Sequence, residues 1–413
     1  MLKNILTTIL FSLFLFESTF VLSNWQEETI SNISMDKWPR TMIYGNIMAN
    51  GYLRIGYNDK QPKLLKDALQ TNSGWEISDN SVPPAVVDNI EAIELDIHGY
   101  THLIHLSTVK ETGIISLIYG SNTNGTWKFE TIVADLATLD VEYVDGAVLV
   151  IDQQGNPHSL ISSSKTTDDS KINQMIYLHK KSNKWDTEVI RSFKYKMRLN
   201  IDKEKFSYTT SIVIDKEGYA HIVFFNVTDI IYYRLGYIFE KYSVGYATNK
   251  SGQWKIERVK NERKIRNSAL TEPMIGINQK GTVFIVYARM NEDSSVIKYF
   301  HNAFKVWKES QVDKIANSDD VKVHGFLVKD DNKYIIYNVG DTLMYATKAS
   351  AEKKWVKQDL GIHFEQTPKQ SFGPGVGSDI WAGKLFMIDN ANLPHIFYED
   401  KILGTVLHGF LTD

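Results

Sequence analysis

The sequence predicts an all-β fold, a seven-bladed propeller of four-stranded blades, and three observations carry that expectation. First, a turn of the Asp-x-x-Gly kind recurs between two short apolar strands: "IELDIHGYTHLIHL" from Ile93, "LVIDQQGNPHSLI" from Leu149 and "IVIDKEGYAHIVFF" from Ile212, with looser copies from Ile275 and Phe386. Second, a Tyr follows in a third strand, at Tyr119, Tyr177, Tyr246, Tyr299 and Tyr345. Third, a Trp opens a fourth strand, at Trp75, Trp127, Trp185, Trp254, Trp307 and Trp355, and in four units it trails the Tyr by eight residues.

Alternating apolar and polar residues mark the strands, and Gly, Asn and Asp mark the turns between them. Turn landmarks fall at Gly51, Gly99, Gly155, Gly218, Gly281, Asn332 and Asn392, roughly 50 to 60 residues apart, which suits a four-stranded blade with its loops. No sustained 3.6-residue stripe supports a helical solenoid of that period. The seventh unit has a first strand at 383–388, a second at 394–398 and a third, "GTVLHGF", with His408 in the Tyr position. No Trp strand follows it. Residues 24–31, "NWQEETIS", have the form of that missing strand, so the N-terminus is expected to complete the seventh blade and close the ring.

Composition narrows the functional classes. Hydrophobic content of 43% suffices for a buried core, and a net charge of −3 lacks the basic excess that nucleic acid requires as a partner. There is no cysteine, which excludes Cys-ligated metals, Cys nucleophiles and disulfides. The opening residues carry Lys3, an apolar run from Ile5 to Phe16 and small residues near Ser23, the layout of a secretory signal peptide. The expected organisation is a signal peptide at 1–23 and one propeller domain at 24–413, secreted or periplasmic, monomeric, and not inserted in a membrane after cleavage. Neither a metal nor a cofactor is expected. His102, His158, His221 and His395 stand one to a blade, too far apart to share an ion, and are assigned to bonding the turns of their own blades.

These repeats resemble those of secreted seven-bladed propellers of the BNR or Asp-box type, the sialidase-like superfamily and its lectin relatives. "SNTNGTW" at 121–127 looks like a shortened Asp-box and "NKSGQW" at 249–254 like a weaker one, but neither keeps the family's aspartate. The resemblance implies the fold and does not choose an activity.

Length variation is confined to one face of the ring, where the second-to-third connections and the blade links lie. The segments at 191–208, 226–243 and 361–379 are the long ones. Loops gathered on one face of a rigid scaffold point to binding there. The first two are rich in aromatic and basic residues, so Arg198, Tyr232, Tyr233, Arg234, Tyr237 and Trp381 are the ligand-binding candidates, suited to stacking on sugar rings and pairing with acidic groups. Inner strands start at this face, and their first residues ring the channel mouth: Arg40, Glu91, Tyr208, Thr271 with Glu272, Lys322, and Asp379 with Trp381. Arg40, Tyr208, Arg289, His324 and Asp379 are the catalytic candidates. The expected function is recognition or processing of carbohydrate, including acidic glycans, on this face. A non-catalytic protein-interaction scaffold and a polysaccharide lyase or glycosidase are the alternatives. Mass spectrometry of the exported protein should find Asn24 as the first residue, and a chain that retains residues 1–23 contradicts the signal assignment.

Overall fold

The computed structural model describes residues 25–32, 43–60, 63–80, 82–83, 86, 90–123, 125–167, 170–196, 210–232, 238–264, 269–291, 293–303, 306–316, 320–363, 386–400 and 405–411. They form seven antiparallel sheets, six of them with their strands in chain order from the axis outward. Blades I to VI occupy 43–80, 90–133, 143–196, 210–264, 269–316 and 321–363. Blade VII is assembled from both ends of the chain: Phe386–Ile388, Pro394–Asp400, Thr405–Leu411 and, outermost, Trp25–Asn32. The register pairs Trp25 with Leu411 and Glu28 with His408. Closure by the N-terminal strand is therefore as the repeat predicts. A Cβ on Gly409 would meet the Trp25 ring at 2.3 Å, so only glycine leaves room for that indole.

The core is divided among the seams. Each hydrophobic cluster among the described residues joins two neighbouring blades, as in the V–VI seam of Val286, Ile297, Val321, Ile335 and Tyr337. The landmark aromatics explain the spacing of the repeat. In blades III to VI the Trp stands edge-on against the Tyr of the blade before it: Trp185 on Tyr119 at 5.1 Å, Trp254 on Tyr177 at 5.1 Å, Trp307 on Tyr246 at 5.3 Å and Trp355 on Tyr299 at 5.4 Å. At the closure Trp75 stands on His408 at 5.6 Å and donates its indole N–H to Glu28 Oε1 at 2.7 Å.

The histidines after the turns are structural, as expected. His102, His158 and His221 each bridge the turn aspartate (Asp96, Asp152, Asp215, at 3.1–3.3 Å) and the landmark Tyr hydroxyl (2.5–2.6 Å). Each aspartate also accepts main-chain N–H bonds from its own turn. In blade VII the relay runs His395 Nδ1 to His408 Nε2 at 2.9 Å, then His408 Nδ1 to Glu28 Oε1 at 2.8 Å. Among the described residues no group of three metal-ligating side chains converges.

Two features differ from expectation. The turn of blade VI is the two-residue pair Asp330–Asp331, with φ of 50° and 63°, and Asn332 already belongs to the next strand. The described parts of the long segments of blades III and IV, 191–196, 226–232 and 238–243, are strand. Ala220–Tyr232 pairs with Ile238–Thr248, and Ser170–Lys181 with Lys184–Lys196. The 13-residue second strand of blade IV exceeds its 8-residue counterpart in blade VI, which adds about 15 Å of wall at 3.3 Å per residue. β-branched and aromatic residues favour pairing over loop there.

Burial holds His158, His221, His395 and His408 below the ordinary histidine range, and His408 falls to about 4. A histidine depressed in the fold contributes full stability above its unfolded value and loses it as pH falls. The melting temperature should therefore drop steadily from pH 6.5 toward 4, and His408→Tyr, which restores the aromatic of the other blades, should flatten part of that drop. Trp75→Ala should cost about 3 kcal/mol in denaturant unfolding; a loss below about 0.5 kcal/mol would deny the closure contact its role.

Candidate functional site

The link face, where the second-to-third connections and blade links lie, is the raised side of the ring, and the innermost strands start there. Glu91 sits at the start of the inner strand of blade II, Ile90–Leu95. The ladder there pairs Ile90 with His105 and Ala92 with Ile104, so Glu91 is the extra residue of a β-bulge. Bulges re-aim a side chain and recur next to functional sites. Burial alone raises the Glu91 carboxyl from 4.5 to about 7. No cation or hydrogen-bond donor among the described residues offsets that burial. A carboxyl in this state holds its proton near neutrality and can donate or accept a hydrogen bond.

Blade VI carries a matching bulge at His324, between Val323 and Gly325. His324 Nε2 donates to Asn338 Oδ1 at 2.9 Å, and the same oxygen accepts the Lys322 main-chain N–H at 2.9 Å. Asn338 in turn donates to the Gly340 carbonyl at 2.8 Å, so this corner of the mouth is firmly held. Blade V breaks its inner strand at Pro273, which has no N–H to give, and at the break the Thr271 hydroxyl accepts the Ala288 N–H at 2.8 Å.

Arg289 lies at the link-face end of its strand but is committed to its own seam. Its Nη1 reaches Glu262 Oε2 at 2.6 Å, and Glu262 also receives Lys298 Nζ at 2.5 Å and the Tyr287 hydroxyl at 2.7 Å. The Glu262 side chain is 1% exposed, and the two cations and phenol offset its desolvation. This network joins blades IV and V and was not legible as a unit, because its members lie up to 36 residues apart.

Among the other sequence candidates, Arg40, Arg198, Tyr208, Tyr233, Arg234, Tyr237, Asp379 and Trp381 lie outside the described residues. Tyr232 is described only in its backbone, which pairs with Ile238 at the end of the extended strand. At the opposite end of the channel a cavity of about 600 Å³ opens between blades VI, VII, I and II, lined in part by Asn46, Met48, Glu94, Val328, Lys329 and Met387. Lys329 Nζ there donates to the Asp389 main-chain carbonyl, tying blade VI to blade VII.

No family model matches the chain, and no curated protein matches it in sequence. Among solved structures it is similar in fold to an oligogalacturonate lyase in complex with manganese, at a TM-score of 0.53 and 7% identity, covering 94% of this chain and 97% of that one. A Penicillium chrysogenum α-L-arabinanase complexed with arabinobiose matches at 0.42 and 11% identity, over 94% and 97% of the two chains. The NanB sialidase of Streptococcus pneumoniae matches at 0.36 and 8%, over 92% and 90%. These structural neighbours are carbohydrate-active propellers, and at such identity the likeness carries the fold alone.

A carboxyl raised in the fold makes the native state bind more protons than the unfolded chain between pH 4.5 and 7, so Glu91 removes stability as pH rises through that window. Glu91→Gln should therefore match the natural protein below pH 4.5 and exceed it above pH 7, by at most about 3 kcal/mol. A stability difference that does not change with pH would show that the carboxyl is solvated.

Proposed function

We propose that the chain is an exported, monomeric propeller of the sialidase-like class that recognises carbohydrate at the link-face mouth of its channel. The observation that carries this reading is Glu91: a half-buried carboxyl at the start of an inner strand, with no counter-ion among the described residues and its proton held to about pH 7. Sugar hydroxyls donate and accept hydrogen bonds and ring oxygens accept them, and a protonated carboxyl binds these neutral groups without bringing a buried charge. The raised strands of blades III and IV supply one wall of the mouth. The aromatic and basic residues of the neighbouring sequence, including Arg198 and 232–237, are assigned to stacking on the sugar and to pairing with acidic substituents.

A second reading, that the bound glycan is also cleaved, rests on the same group. A carboxyl poised near neutrality is suited to give or take a proton at a glycosidic oxygen or at the carbon beside a uronate carboxylate. His324, fixed by Asn338, is the companion group across the mouth.

Titration of neutral and acidic oligosaccharides against the mature protein, with product analysis, tests both readings. Glu91→Ala should weaken binding about tenfold, the worth of one good hydrogen bond. Glu91→Gln should keep binding within a few-fold and, if the glycan is cleaved, abolish turnover. Binding unchanged in Glu91→Ala, or no binding to any glycan, would favour a protein-interaction scaffold instead.

A further inference from the structure

The seam between blades V and VI departs from its neighbours just beneath the turn face, the side opposite the link face. Where blades II to IV carry Asp, His and Tyr in their relay, blade V carries Asn278, Phe284 and Tyr299. Phe284 and Tyr299 stack at 5.9 Å and 22°, which leaves an aromatic floor without the relay's acid. Cations from blade VI extend over that floor. Lys333 Nζ lies 5.0 Å from the Phe284 ring centre and Lys348 Nζ 5.9 Å from that of Tyr299.

Blade V adds two more basic groups at the same level. His301 pairs with Phe284 on one side and with Lys308 on the other, while Lys333 pairs with Lys348 in the adjoining sheet. The His301 ring lies 6.4 Å from Phe284 and 6.1 Å from Tyr299. Four basic groups from two blades thus converge on one patch. The nearby carboxylate is Asp331, and it is engaged by Lys280 Nζ and Asn278 Nδ2, both at 2.5 Å. Lys333 itself is buried, and its ammonium donates to the Asp331 main-chain carbonyl. No carboxylate among the described residues pairs with Lys333, Lys348 or His301.

The electrostatics agree with this geometry. Burial lowers His301, and Lys308, Lys348 and Lys333 push it the same way. Burial also lowers Lys333; Asp331 opposes that, while Lys348 and Lys280 add to it. Like charges are therefore crowded over an apolar floor, where an anion would be attracted by all of them at once.

We propose that this seam is an oxyanion site, taking the sulfate, phosphate or carboxylate group of a ligand between Lys333, Lys348 and His301, with Lys308 at its edge. It is separate from the link-face mouth and does not depend on what binds there. A free oxyanion and one borne by a polymer present the same group, and the test separates the two sources.

The probes are sodium sulfate, sodium chloride at equal ionic strength, and dextran sulfate against plain dextran. The readouts are the melting temperature and the NMR titration of the His301 ring, with His301→Gln identifying its resonance. Sulfate should raise the His301 midpoint by about one unit, as an opposite charge at contact distance does, and raise the melting temperature. Chloride should do neither. The double variant Lys308→Gln/Lys348→Gln changes half-buried or exposed side chains, should keep its melt in chloride, and should lose the sulfate response. Dextran sulfate acting at lower sulfate-equivalent concentration than the salt identifies a polymer-borne group, and the salt acting alone identifies a free ion. Equal responses to sulfate and chloride, or an undiminished response in the double variant, overturn the proposal.

Discussion

An indole edge resting on the aromatic ring of the preceding blade is the contact on which this ring depends, because a four-stranded sheet with two apolar faces cannot stand alone in water. Edge-to-face aromatic pairs contribute about 0.5–1.5 kcal/mol each beyond the area they bury. More important here is their direction. Trp185, Trp254, Trp307 and Trp355 each reach back by one blade, from Trp185 on Tyr119 to Trp355 on Tyr299, so the contacts form a one-way series through blades II to VI. The closure of the ring uses the same contact, Trp75 of blade I on His408 of blade VII, with Glu28 of the N-terminal strand accepting its N–H. One contact thus ties together the first blade, the last blade and the strand contributed from the other end of the chain.

The slots that depart from the pattern are as informative as those that keep it. In blade I the His and Tyr positions hold Arg54 and Asp67, joined at 2.9 Å, and Trp127 turns its N–H to Asn80 at 2.8 Å. That seam has a buried cluster of only Leu65, Val82 and Leu103 among the described residues. Glu91 follows directly on Ile90, which packs against this small cluster. In blade V the His slot is Phe284, and Lys333 of blade VI covers it. Relays that keep Asp, His and Tyr have their polar groups mutually satisfied, so chemistry is left to the blades where the relay is broken.

Much of the architecture was legible because each repeat carries its own landmarks. Tyr and Trp eight residues apart span a hairpin, and "WQEETIS" at the front of the chain has the same form as "WKFETIV" at Trp127. Reading the blade IV insertion as loop failed for a physical reason. Its length suggested a connection, whereas Val227, Ile230, Ile231 and Tyr232 are strand formers that continue pairing past the rim. The site was legible only as positions. Glu91 stood out as a rim residue, but its raised carboxyl comes from burial, which depends on neighbours distant in sequence. Arg289 was legible as a cation at the link face, while its commitment to Glu262 of the previous blade was not.

The central claim, that both ends of the chain share one blade, is tested most directly by a disulfide across the closing strand pair. The natural protein has no cysteine, so a bond between residues introduced at Gln26 and Phe410, which are register partners, reports on that pair alone. Gln26→Cys/Phe410→Cys should oxidise completely in the native state and melt higher than its reduced form, since the bond closes nearly the whole chain into a loop. Two thiols that stay free and reactive in the folded protein would contradict it.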